Sequence, residues 1–299
     1  MNILSPNQQV NVIAALTEGC SIRSVERLTD IHRDTIMRLG VRVGQGCAAL
    51  HDRLMRDLNV SRIELDELWS FCFKKQARLT PEDGTDRGDQ FVFLALAGAA
   101  KAILSYCVGK RNQEHTSAFV ADLRARVLGA PEISSDGWNC YPDAIESAFG
   151  IDVTYGQILK HYGVQAGVVE AARRYSPAHV VAVSKRQVVG RPNHISTSYV
   201  ERQNLTARMQ QRRFTRLTNA FSKKLENHEA AVALYVAHYN FCRVHETLRV
   251  TPAMQLGVTD HIWSIGELIG EALVVAPTEP AGTAPDRRRG FRLIRGGLS

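Results

Sequence analysis

The 299-residue sequence predicts an α+β protein: a small N-terminal helical head, then a mixed β-sheet flanked by helices. Three features point there. The first 56 residues place apolar side chains at helical spacing; from Arg62 the period shortens to strand-like apolar runs; and short strands then alternate with helices before a helical last third.

Pro6 suits a helix start, with Val10, Ile13, Ala14 and Leu16 at helical spacing and Gly19 as its stop. Ser21 is the natural N-cap of a second helix carrying Ile22, Val25 and Leu28. A third is expected over 32–43, with Ile36 and Leu39 inward and Arg33, Arg38 and Arg42 outward. Two short helices, a tight turn and a helix with exposed arginines form a helix-turn-helix plan, whose last helix enters the DNA major groove.

Residues 63–73 read as a strand rich in large apolar side chains, 90–99 and 101–109 as two more, and the closeness of the three suggests an antiparallel meander. A helix is expected over 113–128, with Phe119, Leu123 and Val127 on one side. A strand over 132–136, a helix over 142–149 and a strand over 151–155 follow. This order matches an RNase H-like fold. A possible strand over 178–183, a polar basic loop over 184–196, a helical stretch from 198 to about 244 and a helix begun by Thr251-Pro252 complete the pattern. The expected division is a helix-turn-helix domain over 1–56, an RNase H-like catalytic domain over 57–272 and a basic, disordered tail over 273–299.

Composition narrows the partners. Hydrophobic residues make up 44%, enough for a real core, yet no stretch approaches the roughly 18–20 apolar residues that cross a bilayer. No secretion signal is visible at residues 1–6, and the six cysteines are scattered without a C-x-x-C pair. A cytoplasmic, nucleoid-associated protein without membrane partners is expected. The net charge of +7 makes an anionic partner plausible.

The carboxylates suggest chemistry. Asp66 lies mid-strand in an apolar segment, where an unpaired charge is costly. Alternation places Glu64, Asp66, Leu68 and Ser70 on one face and Glu67 on the other, so Asp66 and Glu67 are not expected to share a centre. Asp136 ends a second strand before Gly137, and Glu201 opens a later helix on a stripe with Asn204, Leu205, Arg208 and Arg212. From Arg202 to Lys224 there are seven basic residues and no acid: Arg202, Arg208, Arg212, Arg213, Arg216, Lys223 and Lys224. A phosphate track beside a metal ligand fits that run, as does a solvated basic face. Three carboxylates suit two Mg²⁺ ions, with Mn²⁺ able to substitute, acting on a phosphodiester.

At these residues the chain resembles bacterial insertion-sequence DDE transposases, in particular the family of insertion sequence one. The blocks Asp66-Glu67-Leu68-Trp69-Ser70-Phe71, Ser135-Asp136-Gly137-Trp138-Asn139-Cys140-Tyr141 and Thr197-Ser198-Tyr199-Val200-Glu201-Arg202-Gln203-Asn204-Leu205 are similar to its three acid-bearing motifs. The segment from Arg212 to Lys223 and that from Tyr239 to Ala253 resemble its later blocks. The resemblance implies Asp66, Asp136 and Glu201 as catalytic metal ligands. It also implies cleavage at transposon ends, strand transfer into target DNA, terminal inverted repeats as partner, and a homo-oligomer on DNA. Arg33, Arg38, Arg42, Asn204, Arg208, Arg212, Arg213, Arg216, Lys223 and Lys224 are the expected DNA contacts, and Arg243 with His245 would line the site. The family's frequent N-terminal cysteine zinc finger is missing, and the 65 residues from Asp136 to Glu201 suggest an insertion. The alternatives are a non-catalytic DNA-binding regulator derived from such an enzyme, or an RNase H-like nuclease of recombination or repair.

Overall fold

The computed structural model describes residues 4–163, 179–215 and 219–275. Helix α1 (Pro6–Thr17) begins with a capping box in which the Ser5 hydroxyl accepts the Gln8 N–H and the Gln8 side chain returns to the Ser5 N–H. Helix α2 (Ile22–Thr29) is capped by Ser21 and closed by Asp30, which takes the left-handed conformation.

Helix α3 (Arg33–Leu54) runs well past the end expected near residue 43. Gly44 and Gly46, just past that point, are points of close approach. A Cβ on Gly44 would collide with the Ala230 carbonyl, and one on Gly46 with the Ala272 carbonyl. The N-terminal part of α3 exposes Arg33, Arg38 and Arg42, whereas Val43, Cys47 and Leu50 are fully buried. Residues of α1 to α3 share one core with the sheet and with the C-terminal helices, so packing continues across residue 56.

The strands are β1 (Leu58–Asn59), β2 (Arg62–Cys72), β3 (Gly88–Ala97), β4 (Ile103–Gly109), β5 (Val127–Leu128), β6 (Glu132–Asp136), β7 (Thr154–Gly163) and β8 (His179–Val189). A mixed six-stranded sheet has the order β4-β3-β2-β6-β7-β8; β1 and β5 form a separate parallel pair. β2–β3 and β3–β4 are antiparallel, β2–β6 and β6–β7 parallel, and β7–β8 antiparallel. The topology is compatible with the RNase H-like expectation. β7 is about twice as long as expected, and β8 runs on to Val189, into the first part of the segment read as a polar loop. Both are half-solvated outer strands whose exposed side chains (Tyr162, Val181, Val183) blur the apolar pattern.

Helices α4 (Gln113–Arg126) and α5 (Tyr141–Phe149) cover one sheet face, burying Phe119, Leu123, Tyr141 and Ile145 against Ile63, Leu65 and Ile133. The other face carries Leu68, Val92, Leu94 and Leu96 beneath α6 (Ser198–Gln210) and α7 (Leu225–Ala237). The expected helix over 198–244 is therefore interrupted: Gln211 is extended, a 3-10 turn spans Arg212–Phe214, and α7 starts afresh at Leu225. Past α7 a π-helical turn, His238–Cys242, carries Asn240, whose amide accepts from the Ile103 N–H and donates to the Ile103 carbonyl. Helices α8 (Pro252–Gln255) and α9 (Ile265–Val275) follow. Since α9 reaches Val275, the first residues assigned to the tail are helical; residues 276–299, like Arg216, lie outside the described residues. No helix among the described residues is long and apolar enough to cross a membrane.

Candidate metal centre

The sheet delivers its acids to one end. Leu65 pairs with Ser135 in the parallel β2–β6 ladder, so Asp66 and Asp136 follow one step later on adjacent strands, where β6 stops. Asp66 faces α6: its Oδ1 accepts the Glu67 N–H at 2.9 Å and its Oδ2 accepts from Asn204 Nδ2 at 2.7 Å. Asp136 Oδ1 accepts the Trp138 N–H at 3.0 Å, and its Oδ2 faces Arg111 Nη2 at 3.3 Å.

Glu67 corrects the expectation from alternation. It does face the α4–α5 side, yet one carboxylate oxygen from each of Asp66, Glu67 and Asp136 lies within 4.8 Å of the others. With β6 ended at Asp136, no further residue of that strand separates the two faces. Glu201, expected as the third acid, lines the same cleft of about 580 Å³ with Asp66 and Asp136 but stands outside that tight group. Its Oε1 accepts from Lys160 Nζ at 2.7 Å and from Thr197 Oγ1 at 2.6 Å.

The electrostatics favour a cation. Burial first, and the Asp136 charge second, push the Asp66 carboxyl up to about 7; Glu67 is pushed up to about 7 for the same two reasons. The Tyr141 hydroxyl and Arg111 act in the opposite direction on Glu67. Nevertheless neither Glu67 Oε1 nor that hydroxyl, both buried, has a partner in hydrogen-bond geometry. Buried hard oxygens that repel one another, with an unsatisfied acceptor among them, fit a divalent metal ion.

Two cations were not anticipated. Arg111 follows β4, which runs parallel to β2 and β6, so the chain leaves β4 at the acid-bearing end of the sheet. Its guanidinium lies 4.2 Å from the Trp138 ring centroid and pairs with both Glu67 (3.0 Å) and Asp136. Lys160 lies two residues beyond Ile158, the β7 partner of Asp136. The sequence signal for both was their position relative to Asp136, which only strand directions convert into proximity.

The expected DNA contacts divide. Arg33, Arg38, Arg42, Arg212, Lys223 and Lys224 are exposed and Arg208 is half-buried. Asn204, by contrast, is buried against Asp66, and the Arg213 guanidinium donates to Ser222 Oγ at 2.7 Å in a buried setting that lowers its pKa. In the structure those two side chains are engaged by Asp66 and Ser222. Arg243 and His245 are not among the residues lining the cleft.

No protein-family profile matches the chain, and no curated protein is similar to it. Among solved structures, the piggyBac transposase in a synaptic complex with hairpin DNA, determined by cryo-EM, aligns over 89% of this chain with 10% identity and a TM-score of 0.31. The chain spans 64% of the length of that one. A likeness of that extent assigns no chemistry, which rests on the side chains described above.

Proposed function

We propose that the chain is a DNA transposase of the DDE type, of insertion-sequence origin, that cuts at element ends and joins the freed strand to target DNA. The observation that carries this reading is the convergence of Asp66, Glu67 and Asp136, with Glu201 lining the same cleft, at one end of a mixed sheet.

Asp66, Asp136 and Glu201 would hold two Mg²⁺ ions, Glu67 adding a fourth carboxylate at the Asp66–Asp136 side. Bound there, divalent cations supply the positive charge that an in-line attack on a phosphodiester requires. The protein's own groups prepare the site. Asn204 fixes one oxygen of Asp66, Arg111 braced on Trp138 holds Glu67 and Asp136, and Lys160 beside Glu201 offers a cation to the phosphate. Water cleaves at the element end, and the freed 3′-hydroxyl then displaces a 3′-oxygen in the target, conserving the number of phosphodiester bonds. The exposed Arg33, Arg38 and Arg42 on the first part of α3 suit a helix-turn-helix, within residues 1–56, that reads terminal repeats in the major groove.

The test uses purified full-length protein, Mg²⁺ and labelled DNA copied from the sequence flanking the reading frame. Asp66→Asn, Asp136→Asn and Glu201→Gln are each expected to abolish nicking while the DNA mobility shift persists. Wild-type protein that shifts this DNA but never nicks it would instead be a non-catalytic regulator. Cutting that follows DNA structure and ignores the ends would mark a recombination or repair nuclease. Retained nicking in any single variant removes that residue from the site.

A further inference from the structure

The acid-bearing face of the sheet continues past the cleft. Register across β2, β6 and β7 puts Glu64, Asp66, Asp136, Ile158 and Lys160 on the α6 side. Antiparallel partners share a face, and β8 pairs Lys185 with Ile158 and Val183 with Lys160, so both join it; Tyr162 lies past an irregularity in the ladder and lines the acid cleft with Lys160. The opposite face is separately tied together, Arg186 to Gln157 and His161 to Ser184. Tyr162 and Val183 are 60% and 57% exposed, far more than a core face allows. Between Asp152 and Glu201 the described residues include Lys160, Lys185, Arg186 and Arg191 and no acid.

We propose that the β7–β8 ribbon is a DNA-binding arm whose cleft-side face, formed by Lys160, Tyr162 and Lys185, guides the backbone of duplex DNA into the acid cleft. The assignment rests on the DNA-cutting reading above and adds a surface to it. Lys160 is held by Glu201 at the cleft, and Lys185 extends the positive face outward, where it attracts phosphates and gains by releasing their counterions. Tyr162 offers a ring to a base at an unpaired end. A second copy of the chain is the competing occupant, because β8 is an open edge of the sheet. Pairing two β8 strands would, however, bring the Lys185 and Arg186 cations of one copy against those of the other.

The two faces make the test. Binding of a fluorescent ~30-bp duplex by the full-length chain is followed from ~50 to ~200 mM KCl, a range over which phosphate contacts dominate the salt response. Lys185→Ala is expected to reduce the slope of log K against log salt by about 0.9 and to weaken binding roughly eightfold at ~0.1 M salt, one phosphate contact's worth. Lys185→Arg restores both, and Arg186→Ala, on the far face, changes neither. Equal losses from Lys185→Ala and Arg186→Ala would reduce the ribbon to a general basic rim and overturn the proposal. No loss from Lys185→Ala, with wild-type binding and nicking intact, would overturn it while leaving the transposase reading standing. A wild-type chain that does not bind duplex at all would sink both. Sedimentation of wild type and Val181→Lys covers the competitor: a dimer broken by the substitution with the salt slope unchanged would assign the ribbon to self-association.

Discussion

Removing the Glu64 side chain tests how the sheet holds the helix that carries Glu201 and Asn204. Glu64 is 5% exposed, and its Oε2 accepts the backbone N–H of Tyr199 at 2.7 Å and of Val200 at 2.9 Å, two of the orphan donors at the start of α6. Burial raises its pKa, while those two hydrogen bonds work in the opposite direction, so the negative charge itself gains little from the site. Glutamine presents the same oxygen to both donors without the charge, and Glu64→Gln is expected to cost under ~1 kcal/mol. Alanine leaves both N–H groups without an acceptor at ~1–3 kcal/mol each. A neighbouring cavity of about 360 Å³ gives water access and keeps the sum toward the lower part of that range. Glu64→Ala should therefore lose about 3 kcal/mol, a fall in Tm of roughly 6–12 °C for a chain of this size. Thermal and urea unfolding of both variants measure it, and Mn²⁺ titration should show weaker binding for Ala alone, because α6 then loosens. Alanine and glutamine variants of equal stability would refute the reasoning, since the oxygen would then not be what anchors α6.

Other consequences are equally concrete. Gly44→Ala or Gly46→Ala forces α3 away from the Ala230 or Ala272 carbonyl, and a loss of about 3 kcal/mol or failure to fold is expected in urea titration. A near-neutral result would mean the helices are not in backbone contact. The buried histidines should weaken the fold in acid, against an opposite contribution from Asp66 and Glu67, whose raised carboxyls take up protons over the same range. His51 is buried with its pKa lowered to about 4, burial being the main cause, and His228 and His238 are lowered to about 3 and about 4 for the same reason. A lowered histidine pKa means that the folded state binds fewer protons than the unfolded chain. The stability is fully present above the unfolded value near ~6.5 and is lost as pH falls toward 4, on the order of 3 kcal/mol for His51 alone. His51→Gln should remove this loss, and equal changes of urea midpoint from pH 7 to 4 in wild type and His51→Gln would contradict it, because the raised carboxyls of Asp66 and Glu67 act equally in both.

The sequence by itself determined the local elements. Ser5, Ser21 and Asn112 mark helix starts because their side chains satisfy N–H groups that no helix can satisfy internally. The alternation of Ile63 to Phe71 gave the strand that presents Asp66, and the place of Asp136 at a strand end was legible for the same reason. Side-chain period and capping are properties of a few consecutive residues, so reading them needs no partner. What belongs to two segments at once was decided only by tertiary structure. The role of Gly44 and Gly46 inside α3 has no local signature, because the backbones they admit are about 190 and 230 residues away in sequence. Glu67 was assigned away from Asp66 because alternation holds within a strand but does not say where the neighbouring strand ends. Arg111 and Lys160 reach the acids through strand direction and register, and the long outer strands β7 and β8 become recognisable once they pair with each other. Charge and hydrogen bonding act over a few ångströms of space, whereas a sequence orders residues along the chain, and only the folded sheet converts one into the other.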